Sequence, residues 1–190
     1  MKFKQSLVLS LSVLLTSSPL FADDSGIENT TLYHQLSLAS ALEAAQSSIA
    51  ECRKDKQNVS ATVVDRNGLT QVMLRDTNAS DISSELSRKK AYTSANFSKN
   101  TTQLADLSDT AVGRSHGVLM SAGGVLIIVD DIIYGAVGVS GSSTGAKDDL
   151  CAKAGAQVVI DAIIADKAKA IALKEAKAEE SKTEETTPKK

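Results

Sequence analysis

Two histidines occur in the chain, His34 and His116. Imidazole is the side chain that most readily serves as a neutral metal ligand or carries a proton near neutral pH. No fixed motif surrounds either one, so each also reads as a surface histidine. His116 is the stronger candidate, because its segment runs directly into Gly123-Gly124. A second cluster is Lys90, Tyr92 and Thr93. The ammonium can pair with a carboxylate, and the phenol and hydroxyl can donate hydrogen bonds. The competing reading makes Lys89 and Lys90 a solvated helix face and packs Tyr92 on a sheet. Thr101 is either a helix N-cap or a pocket wall. Asp130-Asp131 and Asp148-Asp149 could hold a divalent cation, yet turn chemistry and helix N-terminal charge account for them more simply. No P-loop, H-E-x-x-H or Ser-His-Asp order is present.

These groups must be positioned by the surrounding elements. The run Tyr134-Gly135-Ala136-Val137-Gly138-Val139-Ser140-Gly141 is apolar and β-rich, with glycine recurring through it. Glycine packs nothing and costs backbone entropy in a strand, so another backbone or a flat ligand is expected to come close. Leu38, Leu42, Ala45, Ile49 and Cys52 recur at helical spacing and predict a first helix, closed by the basic run Arg53-Lys54-Asp55-Lys56. Strands follow at Asn58 to Val64 and Leu69 to Arg75, joined by Asp65-Arg66-Asn67-Gly68, a hairpin signal. Asp81 opens a second helix that carries Ile82, Leu86, Thr93 and Phe97, and Thr101 to Ala105 reads as a further helical turn. Asp106 to Gly117 lacks periodicity and reads as a loop. Strands are expected at Gly124 to Val129 and at the glycine-spaced run, with Val118-Leu119-Met120 as a short fifth strand. A last helix places Cys151, Ala154, Val158, Ala162 and Ala165 on one face. Adjacent hairpins and covering helices make an α+β sandwich with an antiparallel sheet.

The N-terminus reads as a secretory signal: Lys2 and Lys4, then the apolar Leu7 to Leu15, then Leu20-Phe21-Ala22 before Asp23-Asp24. The apolar stretch is too short to span a bilayer. The organisation expected is a signal at 1–22, a lead at 23–34, a domain at 35–165 and a charged tail at 166–190. Removing Lys2 and Lys4 takes the formal charge from −2 to −4, with 19 basic against 23 acidic residues. That balance argues against bulk nucleic-acid binding. Only Tyr33, Tyr92, Phe97 and Tyr134 remain as aromatics, too few for a base-stacking platform. Cys52 and Cys151 are the two cysteines. In an exported chain they favour a disulfide, and two buried thiols are the alternative. A bridge requires the end of the first helix to meet the start of the last.

The ordered motifs resemble the GlcG/HbpS-like family, which also includes the C-terminal domain of PduO-type proteins. The residues that carry the resemblance are Val63-Val64-Asp65-Arg66-Asn67-Gly68, Leu74-Arg75-Asp76 and Arg88 to Phe97. Thr101 to Leu104, Gly123-Gly124, Gly135 to Gly141 and Lys147 to Ala152 complete the set. The resemblance spans roughly Leu36 to Ile164. It implies a profilin-like fold with a five-stranded antiparallel sheet flanked by helices, and self-assembly into a homo-oligomer. The chain departs from the family pattern at Gly123-Gly124-Val125-Leu126-Ile127, where a proline is common, and at Ser142-Ser143-Thr144-Gly145, where glycine is usual.

Several members of that family bind haem, and some exported ones are linked to haem sensing or degradation. The resemblance therefore implies a haem-binding protein, periplasmic or secreted. His116, His34 or Tyr92 would approach iron. Lys90 or a neighbouring Arg would meet a propionate, with Thr93 and Thr101 nearby. A flat porphyrin would lie on the glycine-relieved sheet or at a subunit seam. A haem-degrading or small-metabolite enzyme and a ligand-free structural oligomer are the alternatives.

Overall fold

The computed structural model describes residues 34–185. The expected signal at 1–22 and most of the lead therefore lie outside the described residues. In chain order the elements are α1 (Leu38–Lys54), β1 (Ser60–Asp65), β2 (Thr70–Arg75), α2 (Asp81–Phe97), a 3-10 segment (Thr101–Leu107), β3 (Gly124–Val129), β4 (Ile132–Ser140) and α3 (Gly145–Glu185). The strands form one antiparallel sheet in the order β2-β1-β4-β3. This is the α+β fold expected, with four strands among the described residues rather than five. Val118-Leu119-Met120 does not join the sheet. The reason lies at the β3 edge. The Leu126 N–H donates to Asn100 Oδ1 at 2.9 Å, and the Gly124 N–H donates to Thr101 Oγ1 at 2.8 Å. Two side chains thus occupy the edge groups that a fifth strand would have paired.

Two layers cover the sheet. On one side α1 and α3 pack over Ala61, Val63, Val125, Ile127, Val137 and Val139. On the other, α2 packs over Val64, Leu126 and Ala136. Valine and isoleucine fill the pleated surface, each fully buried side chain contributing about 1.5–3 kcal/mol.

The helices meet through small residues, and this alters the faces expected from periodicity. In α1 the buried side chains are Ala41, Ala44, Ala45, Ser48, Ile49 and Cys52, whereas Leu38 and Leu42 are exposed. In α3 the buried set is Cys151, Ala152, Ala156 and Val159; Ala162 and Ala165 of the expected face are exposed. The cause is the α1–α3 crossing. A Cβ added at Gly155 would collide with Ser48 Oγ and the Ala44 carbonyl, so the backbones approach along their smallest residues. The bulkier leucines rotate outward.

The bridge between these helices is formed: Cys52 and Cys151 are disulfide-linked, with Cα atoms 5.5 Å apart. It joins the last turn of α1 to the first turns of α3, the shared-side arrangement the sequence called for. Helix α3 continues to Glu185, well past the core, and Lys167 pairs with Asp130 at 2.9 Å. No helix among the described residues is long and apolar enough to cross a membrane.

Candidate functional site

The glycine-spaced strand turns out to serve a backbone. A Cβ at Gly138 would strike the Ser87 carbonyl and stand 2.5 Å from the Ala91 amide nitrogen. A Cβ at Gly124 would strike the Lys90 carbonyl and stand 2.6 Å from Thr101 Cγ2. Helix α2 therefore lies almost against the sheet, and its contact face is Ser83, Ser87, Ala91, Ser94 and Ala95, all small and buried. Thr62 Oγ1 and Ser87 Oγ share a hydrogen bond at 2.8 Å within this contact. The glycines leave no room for a porphyrin on the sheet.

Three of the expected site residues are absorbed by the same packing. Lys90 is buried, its ammonium 2.8 Å from Asp148 Oδ2 and 3.0 Å from the Val139 carbonyl. The Asp148 carboxylate also accepts the Ser142 N–H at 3.0 Å. Opposite charges this deeply buried persist only when paired and hydrogen-bonded. The ammonium is thus committed inside the protein rather than presented to a propionate. Asp148 lies in the first turn of α3, the helix N-terminal charge the sequence suggested, and it is also the counter-ion that ties α3 to α2. Thr101 grips the β3 backbone instead of lining a pocket, and the N-cap of its segment is Asn100. The Thr93 hydroxyl donates to the Lys89 carbonyl at 2.7 Å and accepts the Leu119 N–H at 2.8 Å.

Another set gathers on the outer face of α2. Glu85, Arg88, Lys89, Tyr92 and Asn96 follow one another at helical spacing and are exposed or half-buried. Lys89 pairs with Glu85 at 2.7 Å. That hydrogen bond and charge hold the Glu85 carboxyl below the usual carboxylate range, with smaller contributions from Arg88 and His116. A Cβ at Gly117 would lie 3.9 Å from Tyr92 Cε1, and one at Gly68 would lie 2.9 Å from Tyr92 Cδ2. Tyr92 is flanked by the loop that carries His116 on one side and the β1–β2 turn on the other. The structure thus brings that loop, at Gly117, alongside Tyr92 on the helix that also carries Arg88 and Lys89.

His34 belongs elsewhere. It is exposed, and its ring centroid is 5.7 Å from that of Tyr134, a residue of the core on the α1–α3 side. The two histidines stand on opposite sides of the sheet and do not share a ligand within one chain. The sequence offered a neighbouring Arg beside Lys90 and read Lys89 only as part of a solvated helix face. Arg88 and Lys89 precede Lys90 by two positions and one, but only the register of α2 shows which of the three cations faces out.

Gly141-Ser142-Ser143-Thr144-Gly145 fits the G-x-S-x-G pattern and runs from the end of β4 into the start of α3. Ser143 is exposed, its N–H donates to Gln57 Oε1 at 2.8 Å, and no hydrogen bond joins its hydroxyl to a histidine. No cluster of metal-ligating side chains exists among the described residues.

A four-stranded antiparallel sheet, crossed by one close-packed helix and backed by two, defines a small α+β domain. The family model described as haem-degrading protein HbpS-like matches residues 36–157, and the chain belongs to this HbpS-like family. Among solved structures it is similar to HbpS at 34% identity, covering 68% of this chain and 94% of the other, with a TM-score of 0.65. A double mutant of HbpS from Streptomyces reticuli matches at 29% identity over 82% of this chain and 97% of that one, TM-score 0.65. A PduOC–haem complex matches at 25% identity over 65% and 94%, TM-score 0.60. No curated protein matches the chain.

Proposed function

We propose that this protein is an exported, self-associating haem-binding protein that takes up, senses or carries haem. Membership of the HbpS-like family carries the reading, supported by the likeness to a domain solved as a haem complex. The sheet face is filled, so the porphyrin sits on the outer face of α2, or at a seam between copies formed there. His116 approaches the iron with Tyr92 at its side, and Arg88 and Lys89 meet the propionates. Exposed apolar side chains such as Leu38, Leu42 and Ile82 favour association between copies. Export fits the leader-like N-terminus and the Cys52–Cys151 bridge.

Haem titration tests this. His116→Ala should shift the Soret maximum and weaken binding at least tenfold, about 1.4 kcal/mol. His34→Ala should change little. A chain that gives no saturable Soret band refutes the reading. A second reading is haem degradation, favoured by the description of the matching family model. A Soret band that disappears on adding peroxide or a reductant supports it, and a stable band argues for binding alone.

A further inference from the structure

We infer that Thr93 is the positioning residue for His116: its hydroxyl clasps the loop that carries the histidine to the outer surface of α2. The inference rests on the reading of His116 as the group that approaches haem iron. The loop between Leu107 and Leu119 is bonded chiefly to itself. The Thr110 and Gly113 N–H groups bond to the Leu107 carbonyl and to Thr110 Oγ1, at 3.1 and 3.2 Å. The Arg114, Ser115 and Val118 N–H groups bond to Thr110, Val112 and Ser115 carbonyls at 3.1, 3.1 and 3.2 Å. Such turns give the loop a shape but not a place. Its place is set where it returns, at the Leu119 N–H, which donates to Thr93 Oγ1 at 2.8 Å.

Thr93 suits that task. It is fully buried, and its hydroxyl proton is already committed to the Lys89 carbonyl at 2.7 Å. That bond turns the oxygen lone pairs outward to the one donor offered, the Leu119 N–H. A helical threonine divides between two rotamers, and the bond to the Lys89 carbonyl one turn back selects one of them, so the oxygen is held in position before the loop arrives. Two residues separate His116 from the clasp, and Gly117 lies along Tyr92, the residue that precedes Thr93 in α2. Opening the clasp frees the stretch that aligns the imidazole, while the sheet and the Lys90–Asp148 pair stay in place. Thr93 touches neither iron nor porphyrin; it acts through the loop.

The test compares Thr93→Val, Thr93→Ala and Thr93→Ser. Valine keeps the shape and removes the hydroxyl, alanine removes both, and serine keeps the hydroxyl. In haem-free protein, hydrogen exchange at the Leu119 amide should rise about fivefold in the valine and alanine variants and stay near wild type in serine. On haem titration the first two should lose about fivefold in affinity and show a displaced Soret maximum, again rescued by serine. Should valine disrupt folding, judged by circular dichroism, alanine reads the same hydroxyl. Wild-type exchange at Leu119 in the hydroxyl-free variants overturns the clasp. An unaltered spectrum in those variants, where His116→Ala alters it, overturns the positioning role. A silent His116→Ala refutes the ligand reading itself, and the positioning role falls with it.

Discussion

Asp148→Ala isolates the buried charge pair that makes Lys90 structural. The substitution removes the carboxylate that receives the Lys90 ammonium at 2.8 Å and the Ser142 N–H at 3.0 Å. The ammonium, 4% exposed, keeps only the Val139 carbonyl at 3.0 Å among its described partners. Stranding one partner of a buried pair costs about 3–5 kcal/mol. The unpaired Ser142 amide adds up to about 1 kcal/mol. Small domains are stable by about 5–15 kcal/mol, so the variant should be near the edge of folding at neutral pH. Lys90→Met gives the complementary result. It strands the buried Asp148 carboxylate and should cost a similar amount. Replacing both, Lys90→Met with Asp148→Leu, should return to within about 2 kcal/mol of wild type. Urea unfolding at neutral and mildly acidic pH, with the disulfide intact, reads all three. A cost below about 1 kcal/mol for Asp148→Ala would mean that the pair is solvated, and the argument for its burial would fail. The same variants check function: folded Lys90→Met should bind haem like wild type, and a tenfold loss at unchanged stability would restore Lys90 to the ligand site.

Other outcomes follow from the packing. Gly138→Ala should cost about 3 kcal/mol in urea unfolding, because a Cβ there meets α2 backbone that cannot move without leaving the sheet; a neutral result refutes the close approach. The Cys52–Cys151 bridge has a sequence separation of 99, so its loss should cost up to about 4.7 kcal/mol, and thiol titration in denaturant without reductant should find no free thiol. Arg53 donates to both oxygens of Asp76 at 2.7 Å and holds that carboxyl below its ordinary range. The resulting stability is present above about pH 4 and lost as pH falls through the depressed value, so Asp76→Asn should flatten the acid limb of the stability curve. Light scattering should give a mass at least twice that of the monomer; a clean monomer at micromolar concentration contradicts self-association.

Local signals in the sequence announced most of the fold. Asn67-Gly68 marked the first hairpin, Asp130-Asp131 the second, and the paired cysteines tied the first helix to the last. The helix faces were misjudged because hydrophobic periodicity weighs leucine above alanine, whereas the α1–α3 crossing is decided by how close two backbones can come at Gly155. The absent fifth strand has a similar cause. Whether Val118-Leu119-Met120 pairs depends on Asn100 and Thr101 reaching the β3 edge from far along the chain, which no local pattern encodes. The site was half legible. His116 and Tyr92 were named from residue type, and the loop that carries His116 runs along Tyr92 at Gly117. Lys90 was misassigned because its partner Asp148 is 58 residues away, and burial of a lysine leaves no local trace. That Arg88 and Lys89 are less buried than Lys90 follows only once the register of α2 against Gly138 is known.

The most direct test of the haem surface proposed on α2 is a haem titration of the purified protein, followed in the Soret region, with His116→Ala, His34→Ala, Tyr92→Phe and Arg88→Ala/Lys89→Ala alongside. A saturable band in wild type, displaced in His116→Ala and weakened in the double cation variant while His34→Ala matches wild type, is the predicted result. Saturable binding that none of the α2-surface variants alters would contradict the site, and the absence of any saturable band would contradict the function.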